Sequence, residues 1–191
     1  MEELEARARR ARRRTLVVVL GGLVAGGVLG WFIPHDDAVG RAVQVVGWAM
    51  AVAGLAGAFS LMWTTTVLAA HLRVPLQSLP REASRSLRKS VSAGRPIVPS
   101  DSELAYRAFV YARVMLVYGP IVWAQFLLLY AGIVGPQLDR LFADSVFDIV
   151  FSRATCSILL IVAAVISLVW QRKLRGARRY IDTAREMAQH R

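Results

Sequence analysis

The chain has 191 residues, 55% of them hydrophobic, with a mean hydropathy of +0.44, which excludes an ordinary soluble domain of this size and leaves one compact membrane unit. Its formal net charge is +11, and 22 of the 24 cations are Arg, with only Lys89 and Lys173 as Lys, a bias that points to a high-GC genome. The single cysteine, Cys156, excludes an intrachain disulfide or a CxxC redox pair, and His35, His71 and His190 are too scattered to predict a metal site.

Residues 1–15 open with Glu2, Glu3 and Glu5, followed by Arg7, Arg9, Arg10, Arg12, Arg13 and Arg14. Glu3–Arg7 and Glu5–Arg9 are i,i+4 pairs in the favourable order, and acids before bases suit the helix dipole, so a short helix is predicted. The three acids argue against a mitochondrial presequence, and the apolar runs that follow make the first span an uncleaved one. The arginine run lies beside a span with no interleaved aromatics, so nucleic acid is not expected as a partner.

Residues 16–33 carry no charge and, as a helix of about 27 Å, just cross the hydrocarbon. Gly22, Gly26 and Gly30 recur every four residues, a small-residue ridge that predicts close packing on the next span, with a homodimer through the same ridge as the alternative. Trp31 and Phe32 would sit in an outer aromatic belt. In the turn at 34–42, the spacing assigns Asp36 or Asp37 to capping; His35-Asp36-Asp37, being adjacent, do not converge as metal ligands. Residues 43–72 form a second apolar run, about 45 Å as a helix, which must tilt or project. Trp48 and Trp63 mark its two interfaces, and Gly47, Gly54, Gly57 and Ala58 are expected to offer small faces to the first span.

Between His71 and Arg113 the chain turns basic, with Arg73, Arg81, Arg85, Arg88, Lys89, Arg95, Arg107 and Arg113 against Glu82, Asp101 and Glu103. A helix is predicted from Pro80 to Ala93, stopped by Gly94, Pro96 and Pro99. Leu79, Ala83, Leu87 and Val91 step by four along one thin stripe, while Arg81, Arg85, Arg88 and Lys89 crowd the other faces. Such a helix can lie on an anionic bilayer, gaining about 1 kcal/mol per nearby cation, or serve as a solvated connector. Ser84, Ser86, Ser90 and Ser92 sit among the cations; phosphate there would cancel charge, though serine is equally at home in a plain loop.

Ser100-Asp101-Ser102-Glu103 has capping-box spacing, so a third helix is expected to start there. Its inner part carries Tyr106, Arg107, Tyr111, Arg113 and Tyr118, its hydrocarbon part runs over 114–134, and Gly119-Pro120 predicts a kink. Gln125 falls near the midplane, where an unpaired amide is costly, and is read as an intramembrane polar contact with a neighbouring helix, or as a ligand contact. Residues 136–151 hold Asp139, Arg140, Asp144 and Asp148 in an outer connector, with Asp144 or Ser145 as cap and Arg153 near the outer boundary. The fourth apolar run, 154–170, contains Cys156, which is expected to be inert there. The tail at 171–191 is basic, and Leu174, Ala177, Ile181, Ala184 and Ala188 follow a 3-4 spacing that would dock on the central stretch, on a partner or on the membrane.

The amino tail, central stretch and carboxy tail together hold 21 of the 24 basic residues, which by the positive-inside rule places both termini in the cytoplasm of a plasma-membrane protein. The predicted fold is all-α, an integral membrane four-helix protein: a basic tail at 1–15, a first hairpin at 16–72, a basic cytoplasmic loop at 73–105 with one short helix, a second hairpin at 106–170 and a basic helical tail at 171–191.

The stretch RKSVSAGRPIVPSDSELAYR, residues 88–107, resembles the segment between the second and third spans of small actinobacterial four-span membrane proteins, where a basic helix ends in Val-x-x-Gly-Arg-Pro and an acidic Leu-Ala helix follows. The resemblance implies architecture and no activity. The spans show no mid-bilayer carboxylate, no cysteine pair, no aspartate cluster at an inner helix end and no facing Ser and His. No cofactor is expected. The first expectation is therefore a non-enzymatic accessory subunit, scaffold or regulator whose basic face, with Arg81, Arg85, Arg88 and Lys89, meets anionic lipid or a protein partner. The second is an oligomeric small transporter or channel built on the glycine-rich hairpin and Gln125; a membrane enzyme acting on lipid is third. Reporter fusions at both chain ends should register the cytoplasm, and either end reporting the exterior would overturn the orientation.

Overall fold

The computed structural model describes residues 2–34, 37–141 and 145–189. The protein is all-α: helices α1 (Glu2–Phe32), α2 (Ala38–Arg73), α3 (Arg81–Ala93), α4 (Glu103–Val134), α5 (Gln137–Arg140) and α6 (Val146–Gln189), with a 3₁₀ turn at Val74–Leu76 and no strand among the described residues. Four of these helices, α1, α2, α4 and α6, are long and apolar enough to cross a membrane.

The helix ends follow local chemistry. Asp37 caps α2, its carboxylate accepting the Gly40 amide at 3.1 Å; Asp36 and His35 lie outside the described residues. Gly94, at φ +68°, ends α3 in the left-handed conformation, and the Arg95 amide donates to the Ser90 carbonyl at 3.0 Å. At α4 the cap is two residues later than the capping box predicted: Ser102 Oγ accepts the Ala105 amide at 3.2 Å, so Glu103 opens the helix. There Glu103 pairs with Arg107, which also donates to the Gln77 carbonyl at 2.9 Å. Ser145 takes the cap of α6, accepting the Asp148 amide; Asp144, its sequence alternative, lies outside the described residues. α4 runs unbroken through Gly119 and Pro120.

The chain folds as two compact units, the first from Met1–Ala8, Thr64–Ile121 and Ser167–Arg191, the second from Arg9–Trp63 and Val122–Ile166. This partition cuts across the predicted hairpin-loop-hairpin order.

In the second unit, α2 lies between α1 and α4. Gly22, Gly26 and Gly30 pack on α2: a methyl at Gly22 would stand 2.7 Å from the Ala53 Cα, one at Gly30 2.8 Å from the Val45 Cα, and Gly26 abuts the backbone of Trp48 and Ala49. Gly47 and Gly54 do not face α1 as expected. Gly47 meets the Gly135 carbonyl oxygen, 2.6 Å from where a methyl would sit, and Gly54 meets Gly132 and the Leu128 carbonyl. α2 is thus two-sided, and its small residues serve the third span as well as the first. Thr15 and Ser60 add a polar clasp. Ser60 Oγ donates to the Gly57 carbonyl at 2.8 Å, so the 2.8 Å contact with Thr15 uses the threonine proton. On α6, fully buried Ser152 donates to Gln137 Oε1 at 3.4 Å.

The outward faces of this unit are apolar. Leu16, Val17, Leu20, Val24, Trp31, Phe32, Phe59 and Trp63 all stand exposed, far more apolar surface than a water-soluble protein leaves uncovered, and hydrocarbon is the solvent that suits them. Gly26→Ala and Gly54→Ala are each expected to destabilise the protein by about 1–3 kcal/mol through forced separation of helices. Gly21→Ala, with nothing within 4 Å, should be neutral or slightly stabilising. Thermal unfolding in detergent measures this, and equal midpoints for all three would refute the packing assignment.

Candidate functional site

The first unit is built around α3. Its stripe residues Leu87 and Val91 are fully buried, in one core with Ala108, Tyr111, Ala112 and Met115 of α4 and Ala177, Tyr180 and Ile181 of α6. Leu79, eight residues before Leu87 and just ahead of α3, is half-buried against it. Leu87 and Val91 therefore meet neither lipid nor water, contrary to both sequence readings of the stripe, while Leu79 and Ala83 are half-buried; alanines on α4 and α6 make room for the buried pair. The tail docks on the central stretch by the same means. Gly176 lets the α6 backbone come against the Ser92 and Val91 carbonyl oxygens, where any side chain would collide. Gly94 faces Arg179 and the Gly176 carbonyl from the other side.

With its apolar stripe inward, α3 turns its cations outward: Arg81, Arg85, Arg88 and Lys89 are all exposed. No apolar face remains on α3 to insert into a bilayer, so any attraction it exerts on lipid is one of charge. Tyr180 is 1% exposed, and burial raises its phenol above the usual value, an effect the Ile97 backbone partly offsets.

Three cavities open in this unit. One, of about 500 Å³, lies beside Ile97, Tyr106, Phe109 and Tyr180. A second, about 340 Å³, mixes charges, with Arg113, Arg178 and Arg185 near Glu5 and Asp182. The third, also about 340 Å³, is different in kind: Arg88 and Lys89 of α3 and Lys173 of α6 line it, with Tyr111, Tyr118 and Trp170, and no acid among the described residues is in its walls. Tyr118 and Trp170 stack obliquely with ring centroids 6.3 Å apart, and the Lys173 ammonium stands 5.8 Å from the Trp170 ring centre. Among the described residues, no carboxylate pairs with Arg88, Lys89 or Lys173.

The polar contact expected of Gln125 is not formed: it is half-buried in the second unit and makes no hydrogen bond among the described residues. The stranded amide is instead Gln44 on α2, 3% exposed, whose Oε1 has no hydrogen-bond partner among the described residues. It went unread because it is one polar residue inside a long apolar run. Lys173 and Trp170 also escaped notice as site residues, although a cation three residues after an interfacial tryptophan, on one helix face, was a usable signal. No three His, Cys, Asp or Glu side chains converge among the described residues.

Comparison of the chain with protein-family models, with curated proteins and with solved structures finds no match. Leu87→Ala should cost about 2–5 kcal/mol and loosen α3, so that trypsin cuts at its arginines at a much lower protease concentration. Arg81→Ala should leave stability within about 0.5 kcal/mol. Unchanged trypsin resistance in Leu87→Ala would show that α3 is held by something else.

Proposed function

We propose that the chain is a non-enzymatic multi-pass protein of the plasma membrane, with both termini cytoplasmic, acting as an accessory subunit, scaffold or regulator through its basic face. Kinship with small actinobacterial four-span proteins belongs to the same reading. One observation supports it above the others: the central basic stretch is a folded part of a helical core and not a tether. Leu87 and Val91 fix α3 in place, and its cations are held outward on a rigid element. A connector that merely joined two hairpins would not need this burial. A rigid basic face is what an acidic protein surface or an anionic bilayer recognises.

The alternative, an oligomeric small transporter or channel, draws on the unpartnered Gln44 carbonyl in the membrane-spanning unit. Against it, Gly22, Gly26 and Gly30 are occupied by α2 of the same chain and are not free for a second copy.

Cross-linking mass spectrometry in native membranes, with light scattering after purification in mild detergent, tests the first reading. The expected result is a stoichiometric complex with a different membrane or membrane-associated protein, cross-linked through α3 and lost on Arg81→Glu with Arg85→Glu. A solitary monomer in both measurements would overturn it.

A further inference from the structure

The acid-free cavity lies at a particular level of the chain. The second apolar run ends at Leu72, just before Arg73; the fourth ends at Trp170, just before Gln171 and Arg172; and the charge-free part of α4 begins after Arg113. Leu72, Met115, Tyr118 and Trp170, which line the cavity, come from these three ends. Above this apolar floor stand three cations. Arg88 and Lys89 are neighbours on α3, and Lys173 is steadied over the Trp170 ring. Arg88 shares the cavity wall with Tyr111. Ser92 contributes no donor, since its hydroxyl proton goes to the Lys89 carbonyl at 3.0 Å. Free donors and positive charge thus converge from two helices on a space of about 340 Å³ with no carboxylate among the described residues to neutralise them.

Such a space calls for an anion with several acceptor oxygens, and a phosphate group fits that description. A free phosphate would gain nothing from the apolar floor or the indole. A phosphate ester carrying acyl chains would use both, its charge among the cations and its first methylenes along Leu72 and Met115. We infer that this cavity is a site for the headgroup of a single anionic phospholipid, held by Arg88, Lys89 and Lys173 and distinct from the diffuse attraction of Arg81 and Arg85. The inference rests on the membrane-spanning reading and names one ligand of the basic face; it does not depend on the protein partner.

Native mass spectrometry of the full chain in detergent tests it, with phosphatidylglycerol as probe, phosphatidylcholine as the zwitterionic control and inorganic phosphate as competitor. Phosphatidylglycerol is expected to be retained at least about tenfold more tightly than phosphatidylcholine. Arg88→Ala with Lys89→Ala and Lys173→Ala should abolish that preference, whereas Arg81→Ala with Arg85→Ala should change it less than about twofold, as the loss of distant exposed charge does. Met115→Trp, which fills the floor and leaves every charge in place, should also weaken retention; with the single change Lys173→Gln, it decides the matter should the triple variant fail to fold. Equal losses in the two alanine sets would reduce the site to general surface charge and overturn the inference. So would full retention by Met115→Trp, or displacement of the lipid by millimolar inorganic phosphate, which would make the occupant a soluble anion. A chain that binds phosphatidylglycerol in this way yet has no protein partner would sink the accessory-subunit reading alone.

Discussion

Both units depend on one steric constraint: helix backbones approach each other where no Cβ stands between them. Gly22, Gly26 and Gly30 bring α1 onto α2, and Gly47 and Gly54 bring α2 onto Gly135, just past the end of α4, and Gly132 within it. Gly176 brings α6 onto the last carbonyls of α3. In hydrocarbon there is little hydrophobic gain from putting one apolar helix on another, so dispersion contacts at close range have to supply the cohesion. In the first unit, the same close approach does a different thing: it lets a short helix with only two fully buried side chains of any size, Leu87 and Val91, belong to a core.

The spans, their number and the all-helical class were legible because charge-free runs of this length have few other solutions. Gly22, Gly26 and Gly30 were legible because spacing by four is a property of one helix. The partner of Gly47 and Gly54 was not, since a small face says that something comes close without saying what. Gly132 and Gly135, which complete that contact, stand three apart at the end of a span and form no longer ridge that would single them out. The α3 stripe was visible, but the pocket that receives it is made of Ala108, Ala112 and Ala177, which carry little hydrophobic signal of their own. Of the candidate site, the cations Arg88 and Lys89 could be read from the sequence; their juxtaposition with Lys173, some eighty positions on, could not.

Buried polar groups show the same division. Thr15 and Ser60 satisfy each other, and Ser152 finds Gln137, each on a neighbouring element. Gln44 has a buried oxygen with no donor. An amide there costs free energy that Leu or Ala would not.

The way α3 is anchored has a consequence for the cations it carries. Arginines on a floppy tether must each be immobilised when an anion arrives, and that loss of freedom subtracts from whatever attraction they provide. Here the helix is already ordered by Leu87, Val91 and the Gly176 contact before any ligand comes near. The entropy was surrendered once, during folding, and the spacing of Arg81, Arg85, Arg88 and Lys89 along the helix is fixed in advance. Recognition by this face is therefore expected to discriminate by shape and spacing, where an equally charged but unstructured tail would respond only to the sign and density of the opposing charge.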